Sequence, residues 1–200
     1  VAGLEKNFPD VQIVIMDDGH HTAEKDKLYE RLREVGHVCE NVPYGSGFGE
    51  KANLAIKHYT RPYVLIGSDD FDFADPDCRV GVERMLTVLQ HAPHLAMVSG
   101  RVENNPYESL LEWADRTTVR EVPLQMGNWQ EAGGVEYKIC HLTVNYSIIR
   151  TGVLGSGPGK VCWDGGAVKI GGGEHGAFFL DMMREGHRVA FVPGANITSM

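Results

Sequence analysis

The 200-residue chain is long enough for one hydrophobic core, and its 42% hydrophobic content is ordinary for a water-soluble domain, so a single compact domain over residues 1–200 is expected. A net charge of -8 without clustered Lys and Arg excludes the broad basic footprint that nucleic acid requires, so nucleic acid is not expected as a partner. No apolar run approaches the ~20 residues that cross a bilayer, and no charged-then-apolar leader opens the chain. Cys39, Cys78, Cys140 and Cys162 are widely spaced and form no C-x-x-C pair, which predicts free thiols and, with no membrane segment, a cytoplasmic setting.

In chain order, Val11–Met16 reads as a strand whose tip carries Asp17-Asp18-Gly19 into a turn. Thr22 is placed to cap a helix over Lys25–Val35, in which Leu28, Leu32 and Val35 recur at i, i+4 and i+7. Val38–Val42 follows as a short strand. After the glycine loop Gly45–Gly49 a helix over Glu50–Tyr59 puts Ala52, Ala55, Ile56 and Tyr59 on one side, and Arg61-Pro62 stops it. The run Tyr63–Gly67 is continuously apolar, which predicts a parallel strand covered on both faces, and it delivers Ser68-Asp69-Asp70-Phe71-Asp72 to its carboxyl end.

Beyond that turn, Pro76–His91 is a helix with Val80, Met85, Val88 and Leu89 as core candidates, and Leu95–Ser99 is the next strand. Asn104–Tyr137 is loosely patterned, with a helix over Tyr107–Arg116 and both Trp113 and Trp129 in a stretch rich in charged and turn residues. Lys138–Ile149 reads as one strand. Phe178–Arg184 belongs to a helix that leads into the strand Arg188–Val192, and the glycines before Glu174-His175 put those two polar residues at that helix's start.

Two acidic strand tips at one sheet edge are where a divalent cation and a diphosphate would meet. A leaving diphosphate accumulates charge as its bond breaks, and a hard cation with oxygen ligands offsets it. Taken alone, Asp69, Asp70 and Asp72 also fit a bland role as turn and cap residues before the Pro76 helix, as Asp75 and Asp77 do.

Four segments taken together resemble glycosyltransferases of the GT-A fold, family 2 and the ganglioside β-1,4-N-acetylgalactosaminyltransferases above all. They are PDVQIVIMDDG at 9–19, PYGSGFGEKANLAI at 43–56, RPYVLIGSDDFDF at 61–73 and CWDGGAVKIGGGEHGAFFLDMMREG at 162–186. The resemblance implies an α/β, nucleotide-diphospho-sugar transferase fold, with a mostly parallel central sheet flanked by helices. Residues 1–100 would form the nucleotide-binding part and 101–200 the acceptor part. The family's first strand is not among the segments matched, because the likeness begins just before its second strand.

The same resemblance assigns roles. Asp18 would contact the base while Asp17 shapes the turn, and Lys51 would lie beside the base or the diphosphate. Asp69 would face the ribose, and Asp70 would ligate Mn²⁺ or Mg²⁺. Asp72 is a second metal candidate, since alternation along an extended chain puts it on the same side as Asp70. Glu174 or His175 stands where the family has its catalytic base. A helix N-terminus keeps a carboxylate ionised and an imidazole neutral, so either residue suits the part. Trp163 and Asp164 would line the acceptor side. Where many relatives carry a further histidine ligand after the last strand, this chain has Thr198-Ser199-Met200.

The implied activity is metal-dependent, inverting transfer of a sugar from a nucleotide-sugar donor, UDP-linked by the nearest likeness, to a glycan or glycoconjugate acceptor. The two rivals are a sugar-1-phosphate nucleotidyltransferase and a non-catalytic module that binds sugar nucleotides or glycans.

Overall fold

The structure is a computed structural model that describes residues 1–103, 109–113, 119–123, 129–141, 143, 146–163 and 174–199. The chain opens with a short helix α1 (Ala2–Asn7) and strand β1 (Val14–Asp17). Helix α2 (Ala23–Glu34) begins at Thr22, whose side chain accepts the Lys25 N–H, as the sequence predicts. Leu32 is fully buried and Tyr29 nearly so, but Val35 at the helix end is 62% exposed. Strand β2 (Val38–Asn41) then pairs in parallel with β1, Val14 opposite Val38 and Asp17 opposite Asn41. The two strand tips therefore end side by side.

Helix α3 (Phe48–Ile56) leads to strand β3 (Tyr63–Ile66), and helix α4 (Pro76–His91) is capped by Asp75, whose carboxylate accepts the Asp77 N–H. The core side of α4 is Cys78, Val82, Met85 and Leu89, whereas Val80 is 52% exposed. Val80 is two residues from both Cys78 and Val82, about 200° around the helix from each, so it points away from the buried stripe.

Strand β4 (Leu95–Val102) is followed by the pair β5 (Ser109–Trp113) and β6 (Val119–Pro123), which run antiparallel. The helix expected over Tyr107–Arg116 is thus corrected in its described part, Ser109–Trp113, which is a strand; the rest of that span lies outside the described residues. The β-branched residues of 117–122 favour an extended partner, and a completed ladder outweighs the weak helix propensity of the segment. Strands β7 (Gln130–Ala132) and β8 (Val135–Cys140) form a hairpin, and β9 (Ser147–Arg150) is a separate strand. The single strand expected over Lys138–Ile149 is therefore two strands at different places in the sheet. Helix α5 (Glu174–Arg184) and strand β10 (Arg188–Ile197) complete the chain.

One sheet has six strands in the order β3-β9-β4-β10-β8-β7. It is mixed rather than mostly parallel: β4 and β10 run parallel, while β3–β9, β4–β9, β8–β10 and β7–β8 are antiparallel. Strands from 63–102 interleave with strands from 135–197, so both halves of the chain build this sheet.

The covering on both faces that was expected for β3 belongs to β4 and β9 instead. Ile148 packs toward α4 with Met85 and Val88, and Ile149 packs toward α5 with Phe178 and Met182. The result is helix, sheet, helix. β3 is an edge strand of this sheet, antiparallel to its one named neighbour, and all four of its residues are only half-buried.

The β1–β2 pair is a second, two-stranded sheet. It is tied to the rest through helices: Ala52 and Ile56 of α3 pack with Val64 and Ile66 of β3, and Glu5 of α1 holds Arg31 of α2 by two bonds of 2.7 and 2.9 Å. From the same short helix, the buried Asn7 amide donates to the carbonyls of Phe73 and Asp75 at 2.8 and 3.1 Å. Among the described residues, no helix is long and apolar enough to cross a membrane. None of the four cysteines, all of them described residues, is in a disulfide; Cys39, Cys78 and Cys140 are buried and Cys162 is exposed.

Candidate functional site

The first corner of the site lies at the carboxyl ends of β1 and β2. Asp17 faces inward and organises the turn. Its Oδ1 accepts the Gly19 N–H at 2.9 Å, and its Oδ2 accepts the Tyr29 hydroxyl at 2.9 Å and lies 2.6 Å from the Lys25 ammonium. Burial opposes the Asp17 charge, but Lys25, the Gly19 N–H and Tyr29 together outweigh it and hold the carboxyl below its usual range. The same carboxylate, together with burial as the larger cause, pushes the Tyr29 phenol far up.

Asp18 points the other way and meets Lys51 of α3 at 2.9 Å. That hydrogen bond is the main reason the Asp18 carboxyl titrates low. The two residues assigned to the base and diphosphate are thus brought together, offering an acceptor and a cation next to each other. Beside them is a cleft of about 390 Å³ lined by Asp18, Gly19, His20, His21, Val42 and Tyr44.

The second corner is the acidic turn after β3. Gly67 leads into it where a Cβ would stand 2.6 Å from the Phe73 ring, so only glycine lets the chain pass so close. Asp69 and Asp70 are exposed, while Phe71, between Asp70 and Asp72, is buried against Phe73 and Tyr146. Asp69 Oδ1 accepts the Ser68 hydroxyl at 3.4 Å.

Asp70 Oδ2 accepts the Ser199 hydroxyl at 2.8 Å, across a bridge that pairs Phe71 with Ser199. Ser68 and then Ser199 hold the Asp70 carboxyl low, so it is ionised at neutral pH. Asp72 is committed locally: its Oδ1 accepts the Ala74 N–H at 2.9 Å, and its own N–H donates to the Thr198 carbonyl at 2.9 Å. An Asx turn of this kind shapes the entry to α4. Of the two metal candidates, Asp70 is the exposed one whose carboxylate faces the chain end.

Ser199 belongs to the stretch Thr198-Ser199-Met200 that stands where the resemblance puts a histidine. Sequence reading noted the substitution but gave the serine no contact. A register shift in β10 between Phe191 and Asn196 carries Thr198 and Ser199 to the turn, and no motif in the sequence signals that shift.

On the third side, Trp163 is 3% exposed, stacked on Phe178 of α5 at 4.1 Å and 5°. Its ring edge also meets Phe48 at 5.8 Å and 82°. Trp163, expected on the acceptor side, has its ring covered: it is a packing surface, because a large apolar face beside Phe178 and Phe48 is more stable covered than wet.

Asn53 of α3, which sequence reading passed over, clasps the Trp163 backbone from both sides. It accepts the Trp163 N–H at 2.9 Å and donates to the Trp163 carbonyl at 2.6 Å. Its only sequence signal is a polar residue on the buried side of an amphipathic helix. Asp164 lies outside the described residues. Glu174 and His175 form the first turn of α5, one turn before Phe178; their side chains also lie outside what is described.

Among the described residues, no group of three or more His, Cys, Asp or Glu side chains is arranged to hold a metal ion. What the second corner offers is the Asp70 carboxylate with the Ser68 and Ser199 hydroxyls around it and the exposed Asp69 beside it. Mg²⁺ and Mn²⁺ sites of the hard-oxygen kind commonly need little more, with one or two carboxylates from protein and the rest from phosphate and water. The donor set at Asp70 fits such an ion.

No family model matches the chain. By sequence it is similar to β-1,4 N-acetylgalactosaminyltransferase 2 of Mus musculus, 28% identical over 184 residues that make up 90% of this chain and 32% of the mouse protein. It is also similar to β-1,4 N-acetylgalactosaminyltransferase 1 of Rattus norvegicus, 34% identical over 102 residues, or 51% of this chain and 17% of that protein. The chain thus spans a third or less of these relatives. By structure it matches GalNAc-T7, solved with UDP, GalNAc and Mn²⁺, with a TM-score of 0.61 and 12% identity over 94% of this chain and 37% of that one. The chain has a GT-A glycosyltransferase fold.

Proposed function

We propose that this chain is the catalytic part of a metal-dependent, inverting glycosyltransferase that moves a sugar from a nucleotide-diphosphate donor, UDP-linked by its likeness to named relatives, to a hydroxyl of a glycan or glycoconjugate. The observation that carries this reading is the exposed Asp70 carboxylate at the tip of β3, kept ionised by hydroxyl donors and tied to the end of the last strand through Ser199. It is supported by the fold match and by the names of the sequence relatives.

In this reading Asp70 holds Mn²⁺ or Mg²⁺, with Asp72 as the further candidate, and the bound cation supplies positive charge against the leaving diphosphate. Asp69 accepts from the ribose hydroxyls. Asp18 accepts from the base edge, and Lys51, already paired with Asp18, adds a cation beside base or diphosphate. Asp17 stays out of ligand contact and keeps the turn in shape through Gly19, Lys25 and Tyr29. Trp163, locked by Asn53, positions α5, so that Glu174 or His175 takes the proton from the acceptor hydroxyl as its oxygen bonds to the anomeric carbon on the face opposite the departing diphosphate. Asp164 holds the acceptor. Single displacement needs no covalent intermediate.

The test is a screen of UDP-sugars and other nucleotide sugars with Mn²⁺, following what each donor releases. Slow release of nucleoside diphosphate, accelerated by added glycan, supports the reading. Formation or consumption of pyrophosphate would instead make the chain a sugar-1-phosphate nucleotidyltransferase. Metal-dependent nucleotide binding without turnover for any donor and acceptor pair would make it a binding module.

A further inference from the structure

Tyr44 is 83% exposed, far more than other large apolar side chains of the described chain. It stands between β2 and α3, on Pro43-Tyr44-Gly45, where Gly45 at φ +80° turns the backbone sharply. Facing it from the neighbouring loop after β1 is His20, its ring 5.8 Å away and inclined by only 22°. The two loops leave adjacent parallel strands whose last paired residues are Asp17 and Asn41, so this ring pair stands at a strand-end crevice, where open α/β sheets collect ligands. Both rings line the 390 Å³ cleft that also contains Asp18. Neither ring serves the core: His20 and Tyr44 belong to none of its clusters.

The flat face of an aromatic ring left in water beside a carboxylate is suited to stacking a planar heterocycle, whose edge the carboxylate then reads.

We infer that the His20–Tyr44 ring pair is the stacking shelf for the donor's nucleobase, with the π face of the base on Tyr44 and its edge toward Asp18. This inference rests on the nucleotide-sugar reading of the site and adds to it the two residues that grip the base face. Stacking is blind to which atoms sit on the base edge, so the shelf supplies affinity for nucleosides in general, and choice among bases falls to Asp18 and Lys51.

The experiment is calorimetric titration, in the presence of Mn²⁺, of the wild-type chain, Tyr44→Ala and Tyr44→Phe with two probes, UDP and inorganic pyrophosphate. Base stacking predicts that Tyr44→Ala weakens UDP binding by roughly ten-fold or more, that Tyr44→Phe stays within about two-fold of wild type, and that pyrophosphate binds all three alike. Because Tyr44 is exposed, thermal unfolding of the variants should match wild type, and this checks that the fold is intact. UDP affinity unchanged in Tyr44→Ala would overturn the shelf while leaving the transferase reading in place, and so would an equal loss for both probes. Failure of the wild type to bind either probe would overturn the reading of the site and the shelf with it.

Discussion

Ser199 Oγ donates to Asp70 Oδ2 at 2.8 Å, so the end of the last strand is fastened to the carboxylate at the tip of the acidic strand. Two segments 129 residues apart in sequence thereby fix one oxygen of the residue on which the proposed chemistry depends. Ser199→Ala should remove one of the two hydroxyls that hold Asp70 ionised, letting its pKa rise toward the ordinary carboxylate value. The expected result is turnover near wild type at neutral pH, where the carboxyl stays ionised, and an acid limb of the pH–rate profile displaced to higher pH. An unshifted limb would show that the contact does not tune Asp70.

The Asp18–Lys51 pair predicts a pH-dependent stability difference. Lys51 depresses the Asp18 carboxyl in the folded chain, so the stabilisation is fully present above the unfolded value of ~3.9 and disappears as pH falls through the lower folded value. Both side chains are about one-quarter to one-third exposed, so the contribution is small, at most about 1 kcal/mol. Thermal unfolding of wild type and Lys51→Met should differ slightly at pH 6 and converge once the pH falls below the depressed folded value of Asp18. A difference that persists in acid would place the effect of Lys51 in packing rather than in the ion pair.

Trp163 and Asn53 make a structural prediction. Trp163→Ala empties a site filled by a 3% exposed indole stacked on Phe178, a change that costs about 3–5 kcal/mol in typical cores. Asn53→Ala leaves the Trp163 N–H and carbonyl without their side-chain partners and should cost about 1–3 kcal/mol. Denaturant titration measures both. If Asn53→Ala unfolds at the wild-type midpoint, the clasp is not what locates Trp163.

The two candidate bases separate by conservative substitution. Whichever of Glu174→Gln and His175→Asn removes the general base should lower turnover by about 10²–10⁴-fold while donor binding stays near wild type, and the other should change turnover little. Equal, small effects of both would remove the start of α5 from the mechanism.

How much of this was legible in sequence differs from element to element. Helix α4 was read to the residue, because the Asp75 cap and Pro76 mark its start, Pro93 follows its end and a 3.6-residue apolar stripe runs between them. The acidic turn and the MDDG tip were also legible, since carboxylates at the end of an apolar run are a local pattern. Topology was not: Tyr63–Ile66 has the apolarity of a central strand, yet it lies at an edge and runs antiparallel to β9, and apolarity does not encode direction or neighbours.

The loose stretch around Leu110 carried a helix-like spacing that strand pairing overrode. Ser199, Asn53, His20 and Tyr44 escaped notice as site residues for one reason. Each acts through a contact made far away in sequence or across two loops, and a single polar or aromatic residue has no periodicity to betray it.

Metal-dependent nucleotide binding at Asp70 is the central claim, and calorimetric titration of UDP with and without Mn²⁺, on wild type and on Asp70→Ala, tests it most directly. The account predicts that wild type binds UDP far more tightly with Mn²⁺ than without, and that Asp70→Ala retains only the weak, metal-independent binding of the Asp18 corner. Binding of UDP that is indifferent to Mn²⁺, or enhanced equally in Asp70→Ala, would contradict it.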